Sequence, residues 1–95
     1  MGGWLYMMTN KRGGVLYIGV TADLGLRVHQ HKEGLGSAFC RKYGLTRLVW
    51  MRRYERIEDA IDEEKRLKRW RRDWKIKLIE ETNPDWDDLY LTLAH

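Results

Sequence analysis

Two short runs, "WLYMMT" (residues 4–9) and "VLYIGV" (15–20), flank the pentapeptide "NKRGG", and no other feature narrows the fold as much. Both runs are apolar and aromatic enough for strands, and a short connector carrying glycines is a hairpin signal. Alternation along the second run places Leu16, Ile18 and Val20 on one face and Val15, Tyr17 and Gly19 on the other. If Asn10 and Gly13 close a two-residue loop, Tyr6 faces Tyr17 directly across the hairpin. Glycine weakens a strand and marks a place where a ligand or another backbone comes close. Tyr17 and Gly19 are either a defect or the floor of a site.

The remaining chain supplies the partners of that hairpin. In "TADLGLRVHQHKEG" (21–34), Thr21 or Asp23 caps a helix and Gly34 ends it. Gly25 inside this helix costs about 1 kcal/mol against alanine unless close packing offsets it. "LGSAFCRKYG" (35–44) reads as a loop with a helical turn. "RLVWMRRY" (47–54) reads as a third strand, with Leu48, Trp50 and Arg52 alternating against Val49, Met51 and Arg53. Two helices fit 57–69 and 71–81, with Asn83-Pro84 as the stop. The tail is expected to pack Trp86, Leu89 and Leu91 on the body, and Trp70 and Trp74, four apart, are expected in the core. The fold class is α+β: a small three-stranded antiparallel sheet flanked by three helices, one domain over 1–95.

Composition excludes several classes. A single cysteine, Cys40, rules out an internal disulfide and suits a reducing compartment. No apolar run approaches the roughly 20 residues of a membrane span, and the amino terminus lacks a signal-peptide pattern. A cytoplasmic location with no membrane partner is therefore expected. Net charge is +4, unevenly spread: residues 1–54 hold nine basic and two acidic side chains (+7), and residues 55–95 nine basic and twelve acidic (−3). Within the second part, "KRLKRWRRDWKIK" (65–77) sets eight basic residues around Asp73. Such local density is the footprint of a polyanion binder or a solvated helical face.

Helical spacing exposes two anomalies. Leu24, Arg27, Val28 and His31 share one stripe, although two of the four are polar. Ile57, Ala60, Ile61, Glu64 and Leu67 share another, with a carboxylate near its centre, while Asp62 and Glu63 point elsewhere. An inward carboxylate is costly unless it meets a cation, a metal or hydrogen-bond donors. Each anomaly has a plain structural explanation: Arg27 lying over apolar surface, His31 as a satisfied core histidine, Glu64 as the partner of Arg27. Taken together with Tyr6 and Tyr17, they describe one convergent polar pocket. Other chemistries fit poorly. One cysteine and three scattered histidines lack zinc-ligand spacing, no phosphate-binding glycine loop is present, and Ser37, the one serine, is a weak candidate nucleophile.

These residues resemble the GIY-YIG nuclease superfamily. "WLY" (4–6) stands where the family has its first tripeptide, and "YIG" (17–19) matches the second without change. "TADLGLRVHQH", "EEKRLKRW" and "RRDWKIKLIEETNPDWDDL" follow in family order. The last of these, the ending, looks like the small stand-alone bacterial members related to the amino-terminal domain of the excision-repair nuclease. Trp4 and Leu5 depart from the first tripeptide, which touches the hairpin's geometry but no catalytic side chain.

The resemblance implies a DNA-repair-type endonuclease that hydrolyses phosphodiester bonds by a single-metal mechanism. Tyr6, Tyr17, Arg27, His31 and Glu64 would be its catalytic residues. Glu64 would hold one Mg²⁺ or Mn²⁺, with water as most of the other ligands. Arg27 would donate to the scissile phosphate, and Tyr17 would take a proton from water. A free phenol has pKa near 10, so Tyr17 would need a neighbouring cation, the metal, Tyr6 or His31. Gly19 would leave room for the phosphate, and Asn83 would take the place of a supporting asparagine. Lys11, Arg12, Arg41 and Lys42 would bind the substrate strand, DNA in preference to RNA. A non-catalytic nucleic-acid binding module, or a nuclease subunit awaiting a protein partner that supplies specificity, is the alternative.

Overall fold

The computed structural model describes residues 1–93. Strands β1 (Gly3–Thr9) and β2 (Leu16–Thr21) form the hairpin. Helices α1 (Leu24–Lys32) and α2 (Ala38–Tyr43), strand β3 (Arg47–Tyr54), helices α3 (Ile57–Leu67) and α4 (Arg72–Thr82) and a 3-10 turn (Leu89–Thr92) follow. The sheet is antiparallel in the order β2-β1-β3. This is the expected α+β domain with a fourth helix added. The expected loop at 38–43 closes into α2 because Ser37 accepts a hydrogen bond from the Cys40 N–H and Gly44 ends the helix at φ 66°. Ser37 is thus a helix cap.

The hairpin register departs from expectation by two residues. Tyr6 pairs with Gly19, and Tyr17 pairs with Met8. The loop is longer than two residues: Asn10 accepts from the Val15 N–H, Gly14 donates to the Lys11 carbonyl, and Gly13 sits at φ 68°. An even shift preserves the face, so both tyrosines still point the same way.

A bulge corrects the reading of β3. Met7 pairs with Trp50 but Met8 with Leu48, which leaves Val49 as an extra residue. Alternation is therefore broken, and Val49 and Trp50 enter the same core cluster while Leu48 enters the other.

The sheet separates two cores. On one face Leu5, Met7, Ile18, Val49 and Trp50 pack with Leu67 of α3, Ile79 of α4 and Trp86. On the other, Tyr6, Met8 and Leu48 pack with Leu24 and Val28 of α1, Cys40 of α2 and Leu45. The tail crosses between them, burying Trp86 in the first core and resting Leu89 on the second, whereas Leu91 is exposed, against expectation. Trp74 also departs, at 53% exposed. Trp70 lies in the turn after α3 and Trp74 in the first turn of α4, so the two never share a helix face; they meet edge to face at 5.7 Å.

Candidate active site

The polar pocket forms where α1 crosses the second core. Asp23 caps α1 by accepting from the Leu26 N–H at 3.1 Å, which sets the helix phase so that Leu24, Val28 and His31 are buried and Arg27 half-buried. Beneath them the pleat presents Tyr6 and Tyr17. Three rings make a triangle, with centroids 6.3 Å apart for Tyr6 and Tyr17, 5.7 Å for Tyr6 and His31, and 5.5 Å for Tyr17 and His31.

Hydrogen bonding orders this triangle. The Tyr6 hydroxyl lies 2.8 Å from His31 Nε2. Burial, followed by the nearby Tyr17, pushes the Tyr6 pKa above the ordinary phenol value, against the opposing hydrogen bond from Arg27. Tyr6 therefore stays protonated. His31 is lowered to about 4, first by burial and then by the charge of Arg27, so its ring is neutral. Tyr6 and the neutral imidazole thus share one buried hydrogen bond, whose direction follows the tautomer of His31. Nδ1 has no hydrogen-bond partner among the described residues. The backbone at Gly36 closes over it, where a Cβ would sit 2.6 Å away.

Among the described residues, Arg27 is the cation whose charge acts on both Tyr6 and His31. Its pKa is raised, chiefly by the hydrogen bond to Tyr6, against the effect of burial, and Tyr17 adds to the rise. It also donates to Gln30 Oε1 at 3.3 Å. It has no carboxylate partner among the described residues. A half-buried guanidinium beside phenols, with no carboxylate to neutralise it among the described residues, has the chemistry to receive an anionic group.

Other expected site residues fall elsewhere. A Cβ at Gly19 would lie 2.6 Å from the Tyr6 hydroxyl and 2.7 Å from its ring carbon. The space vacated at Gly19 is thus filled by Tyr6, not left for a phosphate as expected. Asn83 is buried, donating to the carbonyls of Val49 (3.1 Å) and Asp87 (2.9 Å) and accepting from the Asp87 N–H (3.0 Å). Its amide is fully engaged by backbone away from the tyrosines. Lys11 and Arg12 are exposed on the hairpin loop, Arg41 and Lys42 on α2. Arg72 of α4 donates to the carbonyls of Gly13 and Gly14, joining the basic segment 65–77 to that loop.

Glu64 lies on α3, the helix of the other core, and pairs with Lys68 at 3.4 Å rather than with Arg27. Its side chain is 20% exposed, so the carboxylate reaches solvent. Neighbouring Glu63, expected to point away, is also half-buried and holds Arg66 through both oxygens. No group of three or more His, Cys, Asp or Glu converges among the described residues. That donor set excludes a cage for zinc but fits Mg²⁺, which keeps most of its waters and takes one or two carboxylates.

Sequence reading passed over two contributors. Phe39 of α2 stacks on Tyr17, with centroids 6.3 Å apart and planes 30° apart. The signal was present as aromatic residues four apart, Phe39 and Tyr43, between a serine cap and a glycine cap. Gly36, which admits the His31 ring, carried no local signal.

The fold and this pocket define a GIY-YIG domain. The GIY-YIG catalytic domain matches residues 2–77, and the chain belongs to this nuclease family. Its relatives include a UPF0213 protein of Aeromonas salmonicida (strain A449), 32% identical over 95 residues, covering 98% of this chain and 70% of that protein. A UPF0213 protein of Staphylococcus aureus (strain Mu3 / ATCC 700698) is 32% identical over 68 residues, covering 72% of this chain and 83% of the other. The solution structure of the UPF0213 protein BH0048 from Bacillus halodurans superposes with a TM-score of 0.58 at 26% identity, covering 93% of both chains. No described helix is long and apolar enough to cross a membrane.

Proposed function

We propose that the chain is a divalent-metal-dependent endonuclease that hydrolyses phosphodiester bonds in nucleic acid, DNA in preference to RNA. The observation that carries the reading is Arg27, half-buried between two phenols and without a carboxylate partner among the described residues. A phosphate entering there completes its hydrogen bonding, and the contact strengthens as charge grows on the phosphoryl oxygens. Tyr6 holds its own proton and cannot act as base. Tyr17, less buried and ranged against Arg27 and His31, is left as the base: having given its own proton to solvent, its phenolate, its charge met by Arg27, takes the proton of the attacking water and returns to the phenol as the phosphorus bond to the leaving oxygen breaks. His31, neutral and hydrogen-bonded to Tyr6, fixes the Tyr6 ring and with it the donor geometry around Arg27. Glu64 would hold Mg²⁺ or Mn²⁺, releasing Lys68; the ion, when bound, supplies charge to neutralise the leaving oxygen. Lys11, Arg12, Arg41 and Lys42 would grip flanking phosphates.

The test incubates the protein with supercoiled plasmid, branched DNA, single-stranded DNA and RNA in Mg²⁺, Mn²⁺ or EDTA. Tyr17→Phe, Arg27→Ala and Glu64→Ala, each shown to be folded, run beside it. Expected is metal-dependent cutting that each substitution lowers at least about a hundredfold. Absence of cutting on every substrate, with binding indifferent to Glu64→Ala, would overturn the nuclease in favour of a binding module. The Glu64–Lys68 pair is the observation that favours that second reading.

A further inference from the structure

An aromatic series leads away from Tyr17 that no step above uses. Tyr17 stacks on Phe39, and Phe39 meets Tyr43 at 4.9 Å with planes 53° apart. The outer two rings are 44% and 43% exposed and belong to neither core cluster. Their helix is anchored without them: Cys40 and Leu45 are buried beneath it, Ser37 caps its start and Gly44 its end. A fold that spends no core packing on two adjacent large rings, yet holds them in line with the pocket, presents them to something else.

Charge indicates the occupant. Residues 34–54 hold Arg41, Lys42, Arg47, Arg52 and Arg53 and no acidic residue. Arg41 and Lys42 are exposed on the same helix as the rings, and neither has an acidic partner among the described residues. Lys42 Nζ stands 5.3 Å over the Tyr43 ring. Flat exposed rings interleaved with unneutralised cations are the construction that takes an unpaired nucleic-acid strand, bases on the rings and phosphates on the cations. Paired bases in a duplex have no free face to offer, so a platform of this kind selects unpaired segments.

We infer that Phe39 and Tyr43 form a stacking platform for unpaired bases flanking the phosphate at Arg27, with Arg41 and Lys42 holding the strand. The place of that phosphate rests on the nuclease reading; the platform itself is tested without it. The probe is a labelled oligothymidylate about a dozen nucleotides long, compared in EDTA with an abasic strand of the same length and charge, by fluorescence anisotropy. Expected is a preference of about tenfold or more for the strand with bases. Phe39→Ala combined with Tyr43→Ala should abolish the preference while leaving abasic binding unchanged. Phe39→Tyr should keep it, and Lys42→Ala should weaken both strands alike.

Equal binding of the two strands by the native chain, or a preference that survives the double substitution, would overturn the platform. So would a double variant whose only change is in self-association by sedimentation. An oligouridylate arm tells whether the strand is DNA or RNA. Because the readout involves neither metal nor cleavage, stacking without cutting keeps the platform and removes the nuclease. Cutting together with equal binding of the two strands does the reverse.

Discussion

Gly19 and Tyr6 sit opposite each other in the hairpin, and the contact between them decides what each can be. With a Cβ at residue 19 only 2.6 Å from the Tyr6 hydroxyl, Gly19→Ala must displace a fully buried ring rather than a flexible side chain. Overpacking of this kind costs about 1–3 kcal/mol, which urea unfolding should register as a lowered midpoint with an unchanged slope. His31 makes a pH-dependent contribution. Its pKa is lowered to about 4 in the folded chain against 6.5 ordinarily, so the unfolded chain binds more protons between those values. The stabilisation from keeping it neutral is complete above pH 6.5 and is lost as pH falls toward about 4. It amounts to on the order of 3 kcal/mol. Thermal unfolding from pH 7 down to pH 4 should fall more steeply for the native chain than for His31→Gln, and parallel curves would sink the assignment.

Among the elements, α1 and β3 show how local sequence and tertiary demand diverge. Gly25 of α1 finds nothing nearer than Asp23 Oδ1 at 3.9 Å, so no close packing offsets its poor helix propensity. Gly25→Ala should therefore stabilise by about 0.5–1 kcal/mol, seen as a higher unfolding midpoint; a loss of stability would mean that the helix start is packed more tightly than it stands here. β3 is an edge strand, exposed in principle to pairing with other chains. The tail covers it. Asp88 accepts from the Leu48 N–H at 3.2 Å and is also bound by Lys32, Arg47 donates to the Trp86 carbonyl at 2.9 Å, and Asn83 takes the carbonyl that the bulge leaves at Val49.

At the scale of the whole molecule, that tail touches both cores and is expected to couple them into one cooperative unit. Trp86, the largest fully buried side chain, accepts a positive φ of 58° to reach the first core and donates to Glu80 at 2.7 Å. A non-glycine residue there carries strain of about 1–2 kcal/mol, which burial of the indole exceeds. Asn83 fixes the turn that brings it in. Asn83→Ala would leave the Val49 carbonyl buried without a donor and should cost about 2–3 kcal/mol. Hydrogen exchange should then quicken in β3 and the tail together. Exchange that quickens only around residues 83–87 would show that the tail is a separate, weaker unit.

What the sequence determined by itself were the parts whose causes are local. Period-two runs around "NKRGG" specify the hairpin, and the Asp23 cap with its stripe of Leu24, Arg27, Val28 and His31 specifies α1. Those two elements already bring Tyr6, Tyr17, Arg27 and His31 toward one another, so most of the pocket was legible. Tertiary structure alone decided the rest. A two-residue register shift gave Gly19 to the Tyr6 ring, and one extra residue at Val49 put Leu48 and Trp50 on opposite faces of β3; strand pairing energies are non-local and leave no trace in a single strand's pattern. A turn between α3 and α4 separated Trp70 from Trp74, and the packing of α2 on the hairpin placed Phe39 on Tyr17. Spacing along a chain fixes which residues share a face, but only the docking of one face on another fixes which of them touch.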